Sequence, residues 1–232
     1  MIPAAPDAAP RLRQGDPEPS AAGFVLAGGR SRRMGTDKAL VQLGGRPLID
    51  HAVSILQRAG LSVSIAGGQE HLDAFAPVIE DSEPGRGPLG GICAALAAVP
   101  VPLGVFLPVD LPLLPAQLIE YLLRHARITG RAVTLCSVSG FPQTFPAAIG
   151  REALPALVSE LKAGRGGCFS AFQAAAEWLG QPVTVLPLEL LVQSGQVADL
   201  AGLPPFCWFL NVNSPEELRR AGLHLRHASR VE

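Results

Sequence analysis

One short stretch of the chain, LAGGRSRRMGTDKAL, combines glycine with positive charge. It runs from Leu26 to Leu40 and holds three glycines and four cations, which are Arg30, Arg32, Arg33 and Lys38. Glycines after a buried strand let the backbone approach a ligand and turn its N–H groups inward, and arginine and lysine add full charges. The stretch lacks the ending of a Walker A loop and is not GxGxxG. It predicts a polyphosphate site, with a solvated basic loop as the alternative.

Acidic and amide side chains follow further apolar segments. Asp81 ends PVIED, Asp110 ends LGVFLPVD, and Asn213 ends PFCWFLNVN. Asp110 is predicted to bind a hard Mg²⁺ ion held with the phosphates, the alternative being a helix N-cap or a loop carboxylate that faces water. Asp81 is either a nucleotide contact or the cap of a following turn. Asn213 either reaches the metal with its amide oxygen or orders the loop before the last helix.

Composition excludes several functional classes. The 232 residues are 48% hydrophobic and 17% charged, with a net charge of -1. This favours one large domain and gives no overall basicity for binding nucleic acid. No apolar run could cross a bilayer and no signal peptide is recognisable, so we expect a soluble cytoplasmic protein. The four cysteines are scattered and form no CxxC pair, which predicts reduced, buried thiols.

Hydrophobic patterning predicts the elements that position these side chains. Residues 1–22 are rich in Pro and Ala and are predicted to be a disordered tail, with residues 23–232 as a single domain. Apolar runs without alternation, separated by helices, predict a doubly wound three-layer α/β/α sandwich with a mostly parallel sheet. The predicted strands are GFVLAGG, LSVSIAG, PVIED, LGVFLPVD, RAVTLCSV, TFPAAIG, PVTVLP and PFCWFLNVN. The predicted helices lie in RPLIDHAVSILQRAG, around QEHLDAFA, in GPLGGICAALAAVP, at 115–129, 151–163 and 168–178, and from SPEELRRAG.

In such sheets ligands bind outside the carboxyl ends of the strands. The glycine-rich loop, Asp81, Asp110 and the asparagines at 211 and 213 each follow a predicted strand, so we expect them at one edge. The last helix is predicted to begin with a capping box, in which Ser214 is the N-cap, Pro215 the first helical residue and Glu217 the reciprocal partner.

The sequence shows no recognisable arrangement of an activated nucleophile. No Ser/His/Asp or Cys/His set has a familiar spacing, and no helix carries paired catalytic carboxylates. Transfer of a nucleotidyl group to a phosphate monoester does not need an activated nucleophile, because the acceptor already carries an oxyanion at neutral pH. The repulsion between this acceptor and a nucleoside triphosphate must instead be screened by cations.

These motifs resemble the nucleotidyltransferases with a Rossmann-like fold of the nucleotide-diphospho-sugar transferase type, and among them the molybdenum cofactor guanylyltransferases. The similarity runs from Gly23 to about Ala221 through GRPLIDH, VIEDSEPGRGPLGGI, PVDLPLLP, QTFPAAI with LPALVSELKAG, and FLNVNSPEEL. It implies transfer of GMP from GTP to molybdenum-molybdopterin, with release of pyrophosphate. Transient contact with molybdopterin-synthesis proteins or apo-molybdoenzymes is a further expectation.

The resemblance also implies roles for single residues. Arg33, Lys38 and Asp110 would be catalytic, with Arg33 stabilising charge at the transferring phosphorus. Asp110 would bind Mg²⁺, and Asn211 and Asn213 match an asparagine motif close to the active site. The nucleotide-binding residues would be Leu26, Ala27, Gly28, Gly29, Lys38, Asp81 and Asp110.

The sequence departs from the family pattern at three places. Val109 precedes the metal aspartate where a small polar residue or cysteine is common, but that side chain need not touch the metal. Ala66 or Gly67 stands where guanylyltransferases commonly have a nucleotide-contacting asparagine, which leaves a CTP-dependent sister enzyme or a related nucleotidyltransferase as alternatives. Residues 188–205 are longer than the usual connection and could form an insertion helix without a catalytic part. A nucleotide-sensing cofactor chaperone is the non-enzyme alternative.

Overall fold

A seven-stranded sheet forms the centre of the structure, and helices cover both of its faces. The structure is a computed structural model and describes residues 20–27, 37–67, 70–81, 85–164, 167–199 and 202–228. The strands are β1 (Ala22–Leu26), β2 (Gln42–Leu43), β3 (Arg46–Pro47), β4 (Ser62–Ala66), β5 (Val78–Ile79), β6 (Leu103–Pro108), β7 (Val133–Val138), β8 (Phe141–Gly150) and β9 (Thr184–Pro187). The helices are α1 (Leu48–Arg58), α2 (Pro88–Ala98), α3 (Ala116–Thr129), α4 (Leu154–Ala163), α5 (Cys168–Trp178), α6 (Leu188–Gln193), α7 (Pro205–Trp208) and α8 (Pro215–Ala228).

The strand order is β5-β4-β1-β6-β8-β7-β9, and β2 with β3 forms a separate small hairpin. Strand β8 is antiparallel to β6 and β7, whereas the other neighbouring pairs of the large sheet are parallel. The chain leaves β1 toward β4 and β5 and later returns to place β6 on the other side of β1. This reversal creates a crevice at the carboxyl ends of β1 and β6, where open α/β sheets bind ligands. The predicted three-layer fold is confirmed.

The central strands are buried on both faces, which explains their uninterrupted apolar sequences. In β1, Val25 belongs to the hydrophobic core shared with α1 and α3. Its neighbours Phe24 and Leu26 belong to the opposite core, shared with α2, α4 and α5. Phe24 stacks on Phe106 of β6 with ring centroids 5.0 Å apart. Both layers of helices are therefore anchored to the strands that end at the crevice.

The chain departs from the predicted elements near its start and near its end, and the helix predicted around QEHLDAFA is only the 3-10 turn Glu70–Leu72. Ala22 already pairs in β1 and Ala21 is buried, so β1 begins before the predicted domain start at residue 23. Residues 1–19 lie outside the described residues. The segment PFCWFLNVN is not a strand, because Pro205 begins the short helix α7 and residues 209–213 form no strand. The Trp208 indole N–H donates to the Leu203 carbonyl at 2.8 Å, which fixes the buried ring in this turn.

The described part of the predicted insertion, residues 188–199 and 202–205, packs onto the rest of the fold. Leu188 and Leu191 of α6 and the following Val197 are buried in the core that contains α3. The Ala198 N–H donates to the Gln117 side chain of α3 at 2.9 Å. Among the described residues, no helix is both long and apolar enough to cross a bilayer.

Gly104 of β6 gives a direct test of the packing between the sheet and its helices. A Cβ at this position would lie 2.9 Å from Phe106 Cε2 and 3.1 Å from Phe24 Cε2. We expect Gly104→Ala to lower the free energy of unfolding by about 1–3 kcal/mol, because the stacked rings must shift. Equilibrium urea unfolding measures the change.

Gly222→Ala is the matched control for the Gly104 variant. It lies inside α8, where an added Cβ would be 3.8 Å from Leu43 Cδ1, an ordinary contact distance. Alanine has the higher helix propensity, so this variant should be more stable by roughly 0.5–1 kcal/mol. Equal stability of wild type and Gly104→Ala would contradict the tight packing seen at β6.

Candidate active site

Lys38 opens a single 3-10 turn, Lys38–Leu40, after the glycine-rich loop. Asp37 caps this turn, because its Oδ1 accepts a hydrogen bond from the Ala39 N–H at 3.0 Å. The second carboxylate oxygen of Asp37 lies 2.9 Å from Nε2 of His71, which belongs to the connection between β4 and β5. The position of Lys38 is therefore fixed by a local cap that is tied to a distant part of the chain.

The ammonium of Lys38 joins two side chains that are remote in sequence. Nζ donates to Asp110 Oδ2 at 2.8 Å and to Oδ1 of Asn213. Asp110 follows β6, and Asn213 lies in the loop before α8. The Lys38 side chain is 15% exposed and that of Asp110 is 23% exposed. These three residues, called the Lys38 cluster below, lie at the carboxyl ends of β1 and β6.

Backbone hydrogen bonds bring the asparagine loop to the sheet without a further strand. The Val212 N–H donates to the Asp110 carbonyl at 2.9 Å. Val212 is fully buried, so its side chain also anchors the loop. The prediction that the asparagines follow a strand is wrong, but the prediction that they reach the strand edge is confirmed for Asn213. Asn211 is exposed in the same loop.

The Lys38 cluster has the chemistry of a site for anions and a hard cation. The carboxylate of Asp110 and the amide oxygen of Asn213 converge on one ammonium group. Oxygen donors of this kind suit hard divalent cations, which commonly take their remaining ligands from substrate phosphates and water. Within the described ranges no group of three or more His, Cys, Asp or Glu side chains could hold a metal ion. The two oxygen donors of Asp110 and Asn213 fit a cation that takes its other ligands from phosphate and water.

Asp81 lies at a second position on the same edge of the sheet. Its Oδ2 is 2.6 Å and its Oδ1 is 2.9 Å from the point that a Cβ on Gly90 would occupy. Gly90 is in the first turn of α2, where a negative charge is favourable. A Cβ on Gly91 would lie 3.4 Å from the Ala66 carbonyl carbon, so α2 packs closely on the end of β4.

A cleft of about 350 Å³ opens between the start of α2 and the junction of α4 with α5. One wall holds Arg86 and the other holds Glu160 and Cys168. Burial raises the pKa of the Cys168 thiol to about 11, so the thiol is neutral at physiological pH. The full lining consists of Gly85, Arg86, Gly87, Pro88, Leu89, Glu160, Leu161, Gly164, Gly167 and Cys168. The cleft thus presents both charged and apolar groups beside the α2 turn.

Comparison with known proteins identifies the family. The MobA-like NTP transferase domain family matches residues 23–186. A probable molybdenum cofactor guanylyltransferase from Haloferax mediterranei is 32% identical over 207 residues, which cover 85% of this chain and 91% of that protein. The chain belongs to the MobA-like NTP transferases. It is therefore a nucleotidyltransferase, and the sequence resemblance to the molybdenum cofactor guanylyltransferases is confirmed.

A further relative agrees with this assignment, and a solved structure has the same fold. A molybdenum cofactor guanylyltransferase from Vibrio atlanticus is 32% identical over 203 residues, covering 85% of this chain and 93% of its own. The crystal structure of molybdopterin-guanine dinucleotide biosynthesis protein A from Archaeoglobus fulgidus shares the fold with a TM-score of 0.71. That structure is 22% identical and the match covers 89% of this chain and 99% of the other.

The MobA-like fold brings together only part of the predicted site among the described residues. Lys38, Asp110 and Asn213 are in direct contact. The side chain of Leu26 is buried in the core, so its backbone is what borders the crevice, and the Ala27 N–H donates to the Ala66 carbonyl at 3.3 Å. Three predicted residues, Gly28, Gly29 and Arg33, lie outside the described residues. Their roles stay predictions.

The structure also shows the surroundings of Val109 and two residues near the site that sequence reasoning did not select. The side chain of Val109, directly before Asp110, is buried in the core. Asp37 and His71 were missed from the sequence. An aspartate directly before the lysine is a signal for a cap, but its pairing with a histidine 34 residues away has no local signal.

Proposed function

We propose that this chain transfers GMP from GTP to molybdenum-molybdopterin and releases pyrophosphate. The observation that carries this proposal is the convergence of Lys38, Asp110 and Asn213 at the crevice between β1 and β6. The 32% identity to a probable molybdenum cofactor guanylyltransferase, across 85% of the chain, supplies the substrate class.

The acceptor needs little activation in this reaction. A phosphate monoester is largely doubly ionised at neutral pH, so its oxygen can attack the α-phosphorus of GTP without a protein base. The new bond joins that oxygen to the α-phosphorus, and the bond to the β-phosphate oxygen breaks as pyrophosphate leaves. Two unit charges 4 Å apart repel by about 4 kcal/mol at an effective dielectric constant of about 20. Screening this repulsion is the main task of the protein.

Lys38 and the predicted Arg33 would supply the positive charge. Asp110 and Asn213 would hold Mg²⁺, which neutralises phosphate charge when bound. With the cation bound, Lys38 would be free to donate to a phosphate oxygen of the triphosphate instead of to Asp110 and Asn213. The cap formed by Asp37 holds the turn that begins with the lysine.

Asp81 provides a basis for choosing guanine. A carboxylate can accept both the N1–H and the amino group of guanine, whereas cytosine offers only its amino group as a donor. Asp81 lies against the first turn of α2, next to the end of β4. We propose that its carboxylate reads the base and that Leu26, Ala27, Gly28 and Gly29 line the nucleotide. In this arrangement an asparagine at position 66 or 67 is not required.

The acceptor would occupy the cleft beside α2. Arg86 can pair with a phosphate, and the apolar lining from Leu89 and Leu161 suits a flat ring system. We further propose that the enzyme acts in the cytoplasm and makes transient contact with molybdopterin-synthesis proteins or apo-molybdoenzymes.

A triphosphate panel tests the proposed function. Purified protein receives Mg²⁺ and molybdenum-molybdopterin together with GTP, CTP, ATP or UTP, and pyrophosphate release is measured with the dinucleotide product. GTP is expected to be the best substrate. Asp81→Asn should lower the preference for GTP over CTP by about 10-fold or more, because one accepting oxygen is lost. Glu80→Gln is the matched control, since Glu80 is exposed beside it and should leave the preference unchanged.

The other outcomes separate the alternatives. Equal or better turnover with CTP would assign the chain to the cytidylyltransferase branch. Nucleotide binding without pyrophosphate release from any of the four triphosphates would indicate a nucleotide sensor.

A further inference from the structure

Glu217 connects the first turn of α8 to the loop that carries Asn213. Its Oε2 accepts a hydrogen bond from the Asn213 N–H at 2.8 Å and another from the Ser214 hydroxyl at 3.0 Å. Its own N–H donates to Ser214 Oγ at 3.2 Å. The Ser214 half of the predicted capping box is therefore formed, whereas the side chain of Glu217 accepts from the backbone of Asn213, the residue before the N-cap.

This extra bond reaches a residue of the Lys38 cluster. Asn213 is exposed, so packing alone does not fix its backbone or its amide group. On one side of it, the Val212 N–H is bound to the Asp110 carbonyl at 2.9 Å. On the other side, its own N–H is bound to Glu217. Backbone hydrogen bonds therefore tie the asparagine loop to the end of β6 on one side and to the start of α8 on the other.

The Glu217 carboxylate is well suited to hold this position. The Asn213 N–H lowers the pKa of Glu217 most, the Ser214 hydroxyl lowers it further, and the nearby charge of Lys38 acts in the same direction. One carboxylate oxygen accepts from both the Asn213 N–H and the Ser214 hydroxyl, so it ties the Asn213 backbone to the first turn of α8.

We propose that Glu217 is a positioning residue for nucleotidyl transfer. Through the Asn213 N–H it holds the Asn213 amide oxygen where that atom receives Lys38, and where it would receive the metal ion in the loaded enzyme. The proposal rests on the proposed function only in assigning Lys38 and Asn213 to the phosphate site. A cap that merely stabilises α8 would predict a loss of thermal stability with normal kinetics.

Three single variants separate positioning from capping. Glu217→Ala removes the acceptor of both hydrogen bonds. Glu217→Gln keeps an accepting oxygen without the charge, and Glu216→Ala removes an exposed carboxylate from the same first turn of α8. Each variant is assayed for kcat and KM of pyrophosphate release, for the melting temperature, and for binding of a fluorescent N-methylanthraniloyl derivative of GTP with Mg²⁺.

We expect Glu217→Ala to lower kcat/KM for GTP by about 10- to 100-fold, the usual range for a partner that orients an active-site ligand. Binding of the fluorescent GTP derivative should weaken in parallel. Glu217→Gln should restore activity to within about threefold of wild type, since its amide oxygen can accept the same hydrogen bonds. Glu216→Ala should behave as wild type in kinetics and binding.

A double variant tests whether the effect passes through Asn213. In an Asn213→Ala background, where no amide oxygen is left to position, adding Glu217→Ala should cause little further loss of activity. Full additivity of the two losses would overturn the proposal. So would normal kinetics in Glu217→Ala, or a loss in Glu217→Gln equal to that in Glu217→Ala.

The same experiment distinguishes failure of the positioning role from failure of the proposed function. If wild type released no pyrophosphate with any triphosphate, the function would fail. Binding of the fluorescent derivative would still decide the role of Glu217, because wild type and the variants can be ranked by affinity without turnover. Unchanged affinity of Glu217→Ala for the fluorescent derivative would then overturn the positioning role of Glu217.

Discussion

Replacing Asp110 by alanine is expected to lower pyrophosphate release by about 10³-fold or more, the scale on which charge-stabilising groups at transferring phosphates act. The variant loses the carboxylate that binds Lys38 and that is proposed to hold Mg²⁺. The lysine then has one fewer partner at the crevice, and the cation one fewer ligand. The measurement is pyrophosphate release with GTP and molybdenum-molybdopterin over a range of Mg²⁺ concentrations.

The fold should survive the Asp110→Ala change. The bond that links this position to the asparagine loop is made by the backbone carbonyl of Asp110, which alanine keeps. Asp50→Ala is the control, because it removes a carboxylate from a surface ion pair with Arg46 at 2.6 Å. Exposed pairs of this kind contribute about 0–1 kcal/mol, so activity and folding should both be retained there. Wild-type turnover in Asp110→Ala would show that the metal is held elsewhere.

The two strands at the centre of the site could be predicted from the sequence, because burial on both faces requires an unbroken run of apolar residues. GFVL and LGVFLP are apolar at every position since successive side chains enter opposite cores. Each strand ends where the first polar or flexible residue appears, which places Asp110 two residues beyond β6. The carboxyl-edge rule places Lys38 and Asp110 at the same edge of the sheet, and they meet there because β1 and β6 are neighbours.

The segment before the last helix could not be predicted from its apolar pattern. An apolar run with aromatic residues fits a buried strand as well as a buried turn, and PFCWFL takes the second form. Tertiary packing decides between the strand and the turn. The edge strands of the sheet are β5 and β9, and Trp208 fills the core shared by α1 and α3. The asparagines still reach the site because a single backbone hydrogen bond, from Val212 to Asp110, replaces a strand pairing.

The two helix-capping motifs make contacts in the site that their sequence patterns do not predict. The sequence predicts the capping box at Ser214 and Glu217 from spacing alone, as a device for starting a helix. Its link to Asn213, and through Asn213 to Lys38, depends on a contact across 175 residues. The same holds for Asp37, whose cap is local but whose histidine partner is not. Local rules therefore predict the caps, and only the fold shows that both caps adjoin the Lys38 cluster.

Replacing Lys38 by methionine is the second change with a large expected effect. Methionine keeps an unbranched chain and removes the ammonium that bridges Asp110 and Asn213. We expect kcat/KM for GTP to fall by about 10²- to 10³-fold, as when one preorganised donor to a developing charge is removed. Lys38→Arg should recover little of this, because a planar guanidinium cannot place its charge at the point where both oxygens meet. Steady-state kinetics with GTP at saturating acceptor measure both variants.

The other lysine in the sequence supplies the matched control. Lys162 is exposed in the last turn of α4, so Lys162→Met removes the same charge from the surface and should leave kcat/KM unchanged. A second readout separates loss of phosphate binding from damage to the metal ligands. Without nucleotide, Mn²⁺ should bind Lys38→Met more tightly than wild type, because the ammonium no longer competes for the Asp110 and Asn213 oxygens. Weaker Mn²⁺ binding would mean that Lys38 holds these ligands in place rather than competing with the cation.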